Sequence, residues 1–205
     1  MTAQDHDRLT GESCSGPTHD TGGNPSLRKP ILVGANPGLQ LFDRAGAPTA
    51  FLSTWVVDWS TNGSGNVFVL WQPAEVRVVG RDRSLALWLT EYFVRHFPEL
   101  EGLPWPKPRF RRAPVRLRLD MATGLHARGA DIKVRMADVL DRRSFATDDF
   151  PLAGLPHSVS MVSGPCATAR IWVRGRELPG EIRHSGTPER PSSSAFLTEA
   201  EVWRR

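Results

Sequence analysis

The sequence predicts an α+β protein: a predominantly antiparallel curved β-sheet or partly closed β-barrel with one main helix packed on it. Three observations carry that prediction. Eight or nine short runs have strand patterning between Gly, Pro and Asn turns. One stretch alone has long helical periodicity, and the strands before it are apolar on both faces.

The helix is predicted over residues 82–97. Leu85, Trp88, Leu89, Tyr92, Phe93 and His96 recur at the i, i+3, i+4, i+7 spacing that gathers side chains on one helix face. Asp82 or Ser84 supplies the N-cap, and Glu91 with Arg95 makes an i,i+4 ion pair. Pro98 ends the helix by pushing its predecessor out of the α region.

Residues 1–28 carry Leu9 and Leu27 as their sizeable aliphatics after Met1. That is too little apolar surface to offset the entropy of ordering, so a disordered polar leader is expected. A single β-rich domain then fills 29–205. It opens with Ile31, Leu32 and Val33, turns at Asn36-Pro37-Gly38, and passes through 39–42 into a strong strand at 51–60. There Phe51, Trp55, Val57 and Trp59 take one face, while Leu52, Thr54, Val56 and Asp58 take the other. A glycine-rich turn at 61–65 leads to strands at 66–71 and 75–79.

After the helix, residues 99–114 are rich in Pro, Arg and Trp and read as an extended surface connection. Two clean alternators follow, at 115–120 and 132–136, with turn chemistry between them at 122–124 and 128–129. In the first, Val115, Leu117 and Leu119 oppose Arg116, Arg118 and Asp120, so the charged residues take a wet face. Residues 138–156 read as irregular. Strands are expected at 158–162 and 168–173, separated by a Gly164-Pro165 turn; 184–194 reads as a mobile loop and 194–203 as a closing strand.

Composition narrows the function classes. Of 26 basic residues only Lys29, Lys107 and Lys133 are lysines, leaving 23 arginines at a net charge of +4. A GC-rich genome accounts for that bias without a function behind it. Cys14 and Cys166 are the only cysteines, which excludes a disulfide framework or a cysteine-based zinc site. No apolar run reaches membrane-spanning length, and the polar N-terminus does not read as a signal peptide, so a cytoplasmic protein without a membrane is expected. Dinucleotide, phosphate-loop and nucleophile-elbow motifs are absent.

The sequence therefore points first to a small-molecule pocket protein, acting on a largely apolar metabolite. If it is an enzyme, cofactor-independent acid/base chemistry of a lyase, isomerase or cyclase type is expected. Asp58, set among Val56, Val57 and Trp59, is the first-choice acid/base residue because desolvation raises a carboxyl pKa. Its structural alternative is to cap the following turn. Asp120 and His126 form a second couple for orienting a general base. Trp55, Trp59 and Trp71 are the residues expected to shape a ligand pocket, with plain core packing as the alternative. His126, His157 and His184 lack metal-ligand spacing, so no metal and no cofactor is expected. Two other classes stay open: a non-catalytic ligand- or protein-binding module, and a basic nucleic-acid-binding protein. The second, less favoured as a partner class, rests on the run 107–118 with Phe110 inside it. Trp172 shares an outward face with Arg170 and Arg174, which suits an anion or a partner surface.

Overall fold

The computed structural model describes residues 30–152 and 155–204, so the predicted leader lies outside the described residues. Strands β1 (Pro30–Ala35), β2 (Gly38–Phe42), β3 (Pro48–Ser60), β4 (Gly65–Gln72) and β5 (Glu75–Gly80) precede helix α1 (Arg83–Trp88). Strands β6 (Arg109–Arg112), β7 (Val115–Asp120), β8 (Gly124–Gly129), β9 (Ile132–Val139) and β10 (Arg143–Leu152) lead into the long β11 (Leu155–Val173). The chain finishes with β12 (Arg176–Glu177), the hairpin β13 (His184–Thr187) and β14 (Arg190–Ser193), and β15 (Ala195–Arg204). The protein is thus mostly β-sheet with one main helical segment. The sheet is large and mixed, and among the described residues its order β6-β5-β4-β3-β1-β15-β11-β9-β8-β7 ends at β6 and at β7.

One strand makes this path into two layers. Residues 157–165 of β11 pair with β15, and residues 166–173 of the same strand pair with β9. Gly164 and Pro165 therefore form the corner of one continuous strand rather than a turn between two, because a strand that switches layers bends where side chains are small or donors absent. The first layer holds β1 to β6, β10 and β15 with the early half of β11. The second holds β7, β8, β9 and β12 with its late half.

Between the layers, Leu39, Leu52, Phe68 and Leu70 pack against Leu125, Ile132, Val134 and Met136. On the opposite face of the first layer, Phe51, Trp55, Val69 and Trp71 pack against Leu85, Leu89, Phe93 and Val94 of the helical segment. The two-faced apolar strands of the sequence are explained: β3 and β4 are the middle layer of three.

Three features differ from the sequence reading, each for a local reason. The helix is α-helical only from Arg83 to Trp88, with the Asp82 carboxylate capping the Leu85 N–H at 3.0 Å. A π turn (Leu89–Phe93) and a 3-10 turn (Val94–His96) continue it, and the Thr90 hydroxyl donates to the Ala86 carbonyl at 2.7 Å. The wide turn adds a residue, so the apolar stripe resumes at Val94 and Phe97 and leaves His96 exposed. Next, the connection after the helix contains β6, an edge strand parallel to β5. Finally, segments read as irregular, as turns or as a mobile loop are strands: β10 pairs with β11, β8 lies between β7 and β9, and β13 pairs with β14.

At the end of the second layer away from the Gly164-Pro165 corner, the two layers are joined by charge. Asp131, in the β8–β9 turn, receives Arg77 at 2.5 Å, Arg111 at 3.2 Å and Arg174 at 3.4 Å. The Arg77 hydrogen bond, above all, holds the Asp131 carboxyl below the usual carboxylate range. A depressed folded pKa means that this contribution is present above the unfolded value and is lost as pH falls through the folded one. Asp131→Asn should therefore cost about 2 kcal/mol at neutral pH, chiefly by leaving the partly buried Arg77 unpaired. Denaturant unfolding at pH 7 and at pH 3 checks this, and the difference between variant and parent should shrink at the lower pH.

Candidate functional site

The residues singled out from sequence fall in three places rather than one. Trp55 and Trp71 belong to the core, at 3% and 1% exposure, and Trp71 Nε1 donates to the Pro104 carbonyl at 2.8 Å. Trp55 meets Phe93 edge-on at 5.4 Å between ring centres. Trp59, expected on the same face, is 47% exposed. The reason is a β-bulge: Gly34 pairs with Val57 but Val33 pairs with Trp59, which leaves Asp58 as the extra residue. A bulge breaks alternation, so the pattern valid up to Val57 does not extend to Trp59. Gly34 is required there, because a Cβ would overlap the Val56 carbonyl oxygen.

Asp58 is exposed rather than set into the apolar surroundings that its neighbours in sequence suggested. It borders an open groove of about 520 Å³ along the inner side of β7. Val33, Ala35, Val56, Leu117 and Leu119 give that groove an apolar floor, and Glu199 and Glu201 stand on its rim with Asp58.

Asp120 and His126 lie on the solvent face of the second layer, where neighbouring strands align them with other residues. Arg118 pairs with His126, His126 with Arg135, and Arg135 with Arg170. One position along, Arg116 pairs with Arg128, Arg128 with Lys133, and Lys133 with Trp172. Two cross-strand rows therefore bring six Lys and Arg side chains and one histidine onto one face. Strands about 4.8 Å apart make each row about 14 Å long.

Acidic residues do little to neutralise this face. Glu177 takes Arg170 at 3.2 Å. Asp120 is spent locally, accepting the Ala122 N–H at 2.7 Å and the Thr123 N–H at 3.2 Å in the β7–β8 turn. The Asp120–His126 couple read from sequence is thus a turn cap beside a histidine that sits between two arginines. Arg116, Arg118, Arg128 and Arg135 have no acidic partner among the described residues, and the Lys133 ammonium lies 4.9 Å from the centre of the Trp172 ring. Depressions of about 450 and 770 Å³ run between these side chains.

One buried polar pair escaped the sequence reading altogether. His157 is fully buried; its Nδ1 lies 2.9 Å from the Leu155 carbonyl and its Nε2 lies 3.3 Å from the Tyr92 hydroxyl. A carbonyl only accepts, so Nδ1–H donates to it, and the Tyr92 hydroxyl pairs with Nε2 on the other side of the ring. The pair ties the π turn to β11, across a sequence separation no local pattern reveals. Cys166 is also buried, and burial, with the Asp138 charge second, pushes its thiol up to about 11, away from nucleophile chemistry. His126, His157 and His184 occupy three different strands, and among the described residues no group of His, Cys, Asp or Glu is placed to hold a metal. Nor is any helix among them long and apolar enough to cross a membrane.

No protein-family model matches this chain, and comparisons with curated proteins and with solved structures find no match. The site must be read from its own chemistry.

Proposed function

We propose that the protein binds single-stranded nucleic acid on the solvent face of its second layer. The observation that supports this reading is the alignment of Arg116, Arg118, Arg128, Lys133, Arg135 and Arg170 across four paired strands, with Arg170 alone neutralised by an acidic partner among the described residues. Genome composition sets how many arginines a chain carries, but not which sheet positions they occupy. A cationic sheet face with a partly exposed aromatic ring suits a flexible strand, whose phosphates meet the guanidinium groups and whose bases stack. Trp172 supplies the ring, and the adjoining Lys133 keeps a cation beside it.

The pocket reading favoured by sequence draws less support. Two of its three tryptophans are in the core, and the groove beside Asp58 is open to solvent.

The test is fluorescence anisotropy of a labelled 20-nucleotide single strand as salt rises from 50 to 200 mM. Five unneutralised cations releasing counterions give a slope of log affinity against log salt of about −3.5, which is a loss of ~100-fold over that range. A flat salt dependence, or no binding at 50 mM, contradicts the proposal.

A further inference from the structure

We infer that the free edge of β7 and the groove behind it form a second, separate binding site, for an extended peptide that presents a lysine or arginine at every other residue. Three independent features converge there. Among the described residues β7 is one end of the sheet order with β8 as its strand partner; the Asn66 amide donates to the Val115 carbonyl at 3.1 Å at its start, and the rest of its outer side offers backbone groups to an incoming strand. Behind that edge the groove has an aliphatic floor of Val33, Val56, Leu117 and Leu119. On its rim stand Asp58, Glu199 and Glu201, none of which has a hydrogen-bond or ion-pair partner among the described residues.

Strand geometry determines the occupant. A peptide added to β7 alternates its side chains between the solvent face and the groove. Those on the groove side meet hydrocarbon first and carboxylates beyond it. A lysine or arginine satisfies both, laying its methylene stem on the aliphatic floor and carrying its charge to the rim. Two cross-strand rows place the carboxylates within reach of one segment: Val56, Ala35, Glu199 and Val162 align in the first, and Val33, Glu201 and Ser160 in the second. A second copy of this chain fits less well. Antiparallel pairing of β7 with itself about Arg118 sets two guanidinium groups face to face, and about Leu117 it sets Arg116 against Arg118.

The probe is a labelled nine-residue peptide alternating arginine with threonine, titrated into the full chain and followed by anisotropy. A peptide of the same composition with its arginines in one block, and an alternating peptide N-methylated at every second amide, serve as comparisons. The alternating peptide should bind at least tenfold more tightly than either. The triple substitution Asp58→Asn, Glu199→Gln, Glu201→Gln, confined to the groove rim, should weaken it at least tenfold. Equal binding of all three peptides would reduce the site to nonspecific charge attraction and overturn the inference. So would unchanged affinity in the triple variant, or concentration-dependent dimerisation abolished by Leu119→Asp, which would assign the edge to a second copy. Nucleic-acid binding by the triple variant is expected to be retained, so failure of one site does not entail failure of the other.

Discussion

Arg118→Glu combined with Arg135→Glu is expected to lower affinity for a single-stranded oligonucleotide ~100-fold or more at 100 mM salt. These arginines flank His126 in one of the two rows of the cationic face, and neither has an acidic partner among the described residues. Five unneutralised cations less two, with two new anions added, leave an effective count of about one, so the salt dependence should flatten as well. Both side chains are exposed, and the change in stability should stay within about 0.5 kcal/mol. Arg109→Glu with Arg112→Glu makes the matched comparison. It alters net charge equally but lies on edge strand β6 of the other layer, and it should change affinity only a few-fold. Equal losses in the two double variants would mean that net charge, not this face, governs binding.

Trp71→Ala should destabilise the protein by about 3–5 kcal/mol, enough to unfold a domain of ordinary stability. The ring is enclosed between the first layer and the helical segment, and its removal opens a cavity as well as orphaning the Pro104 carbonyl. Trp59→Ala, on the exposed side of the bulge, should cost under ~1 kcal/mol. Chemical denaturation of the two variants separates a core tryptophan from a surface one. Similar small effects at both positions would contradict the three-layer account.

Much of the architecture was legible because local pattern carried it. The two-faced apolar stretches of β3 and β4 announced a covered middle layer, and the Val115-to-Asp120 alternation announced a layer wet on one side. Pattern failed where geometry departed from regularity. A single bulged residue, Asp58, turned Trp59 away from the face its spacing assigned, and one wide turn did the same to His96. Strand β10 was missed because its charged residues obscured the alternation that its pairing with β11 imposes.

The cationic face was legible only in parts. Arg116 and Arg118 were visible on a wet face, and Arg170 was visible beside Trp172. What sequence does not encode locally is that Arg135 and Arg170, thirty-five positions apart, lie opposite each other, or that β8 carries His126 and Arg128 between them and β7. Strand order and register turn separate charges into a surface. The same long-range pairing put Glu199 and Glu201 on the groove that Asp58 borders, a grouping no local spacing of these residues discloses.

The most direct test of the account is ultraviolet crosslinking of the intact chain to a single-stranded oligonucleotide, with the adducts located by mass spectrometry. Binding on the second layer predicts adducts at Trp172 and within the strands that carry His126 and Lys133. Adducts confined to residues 107–112, or to strands of the first layer, would contradict it.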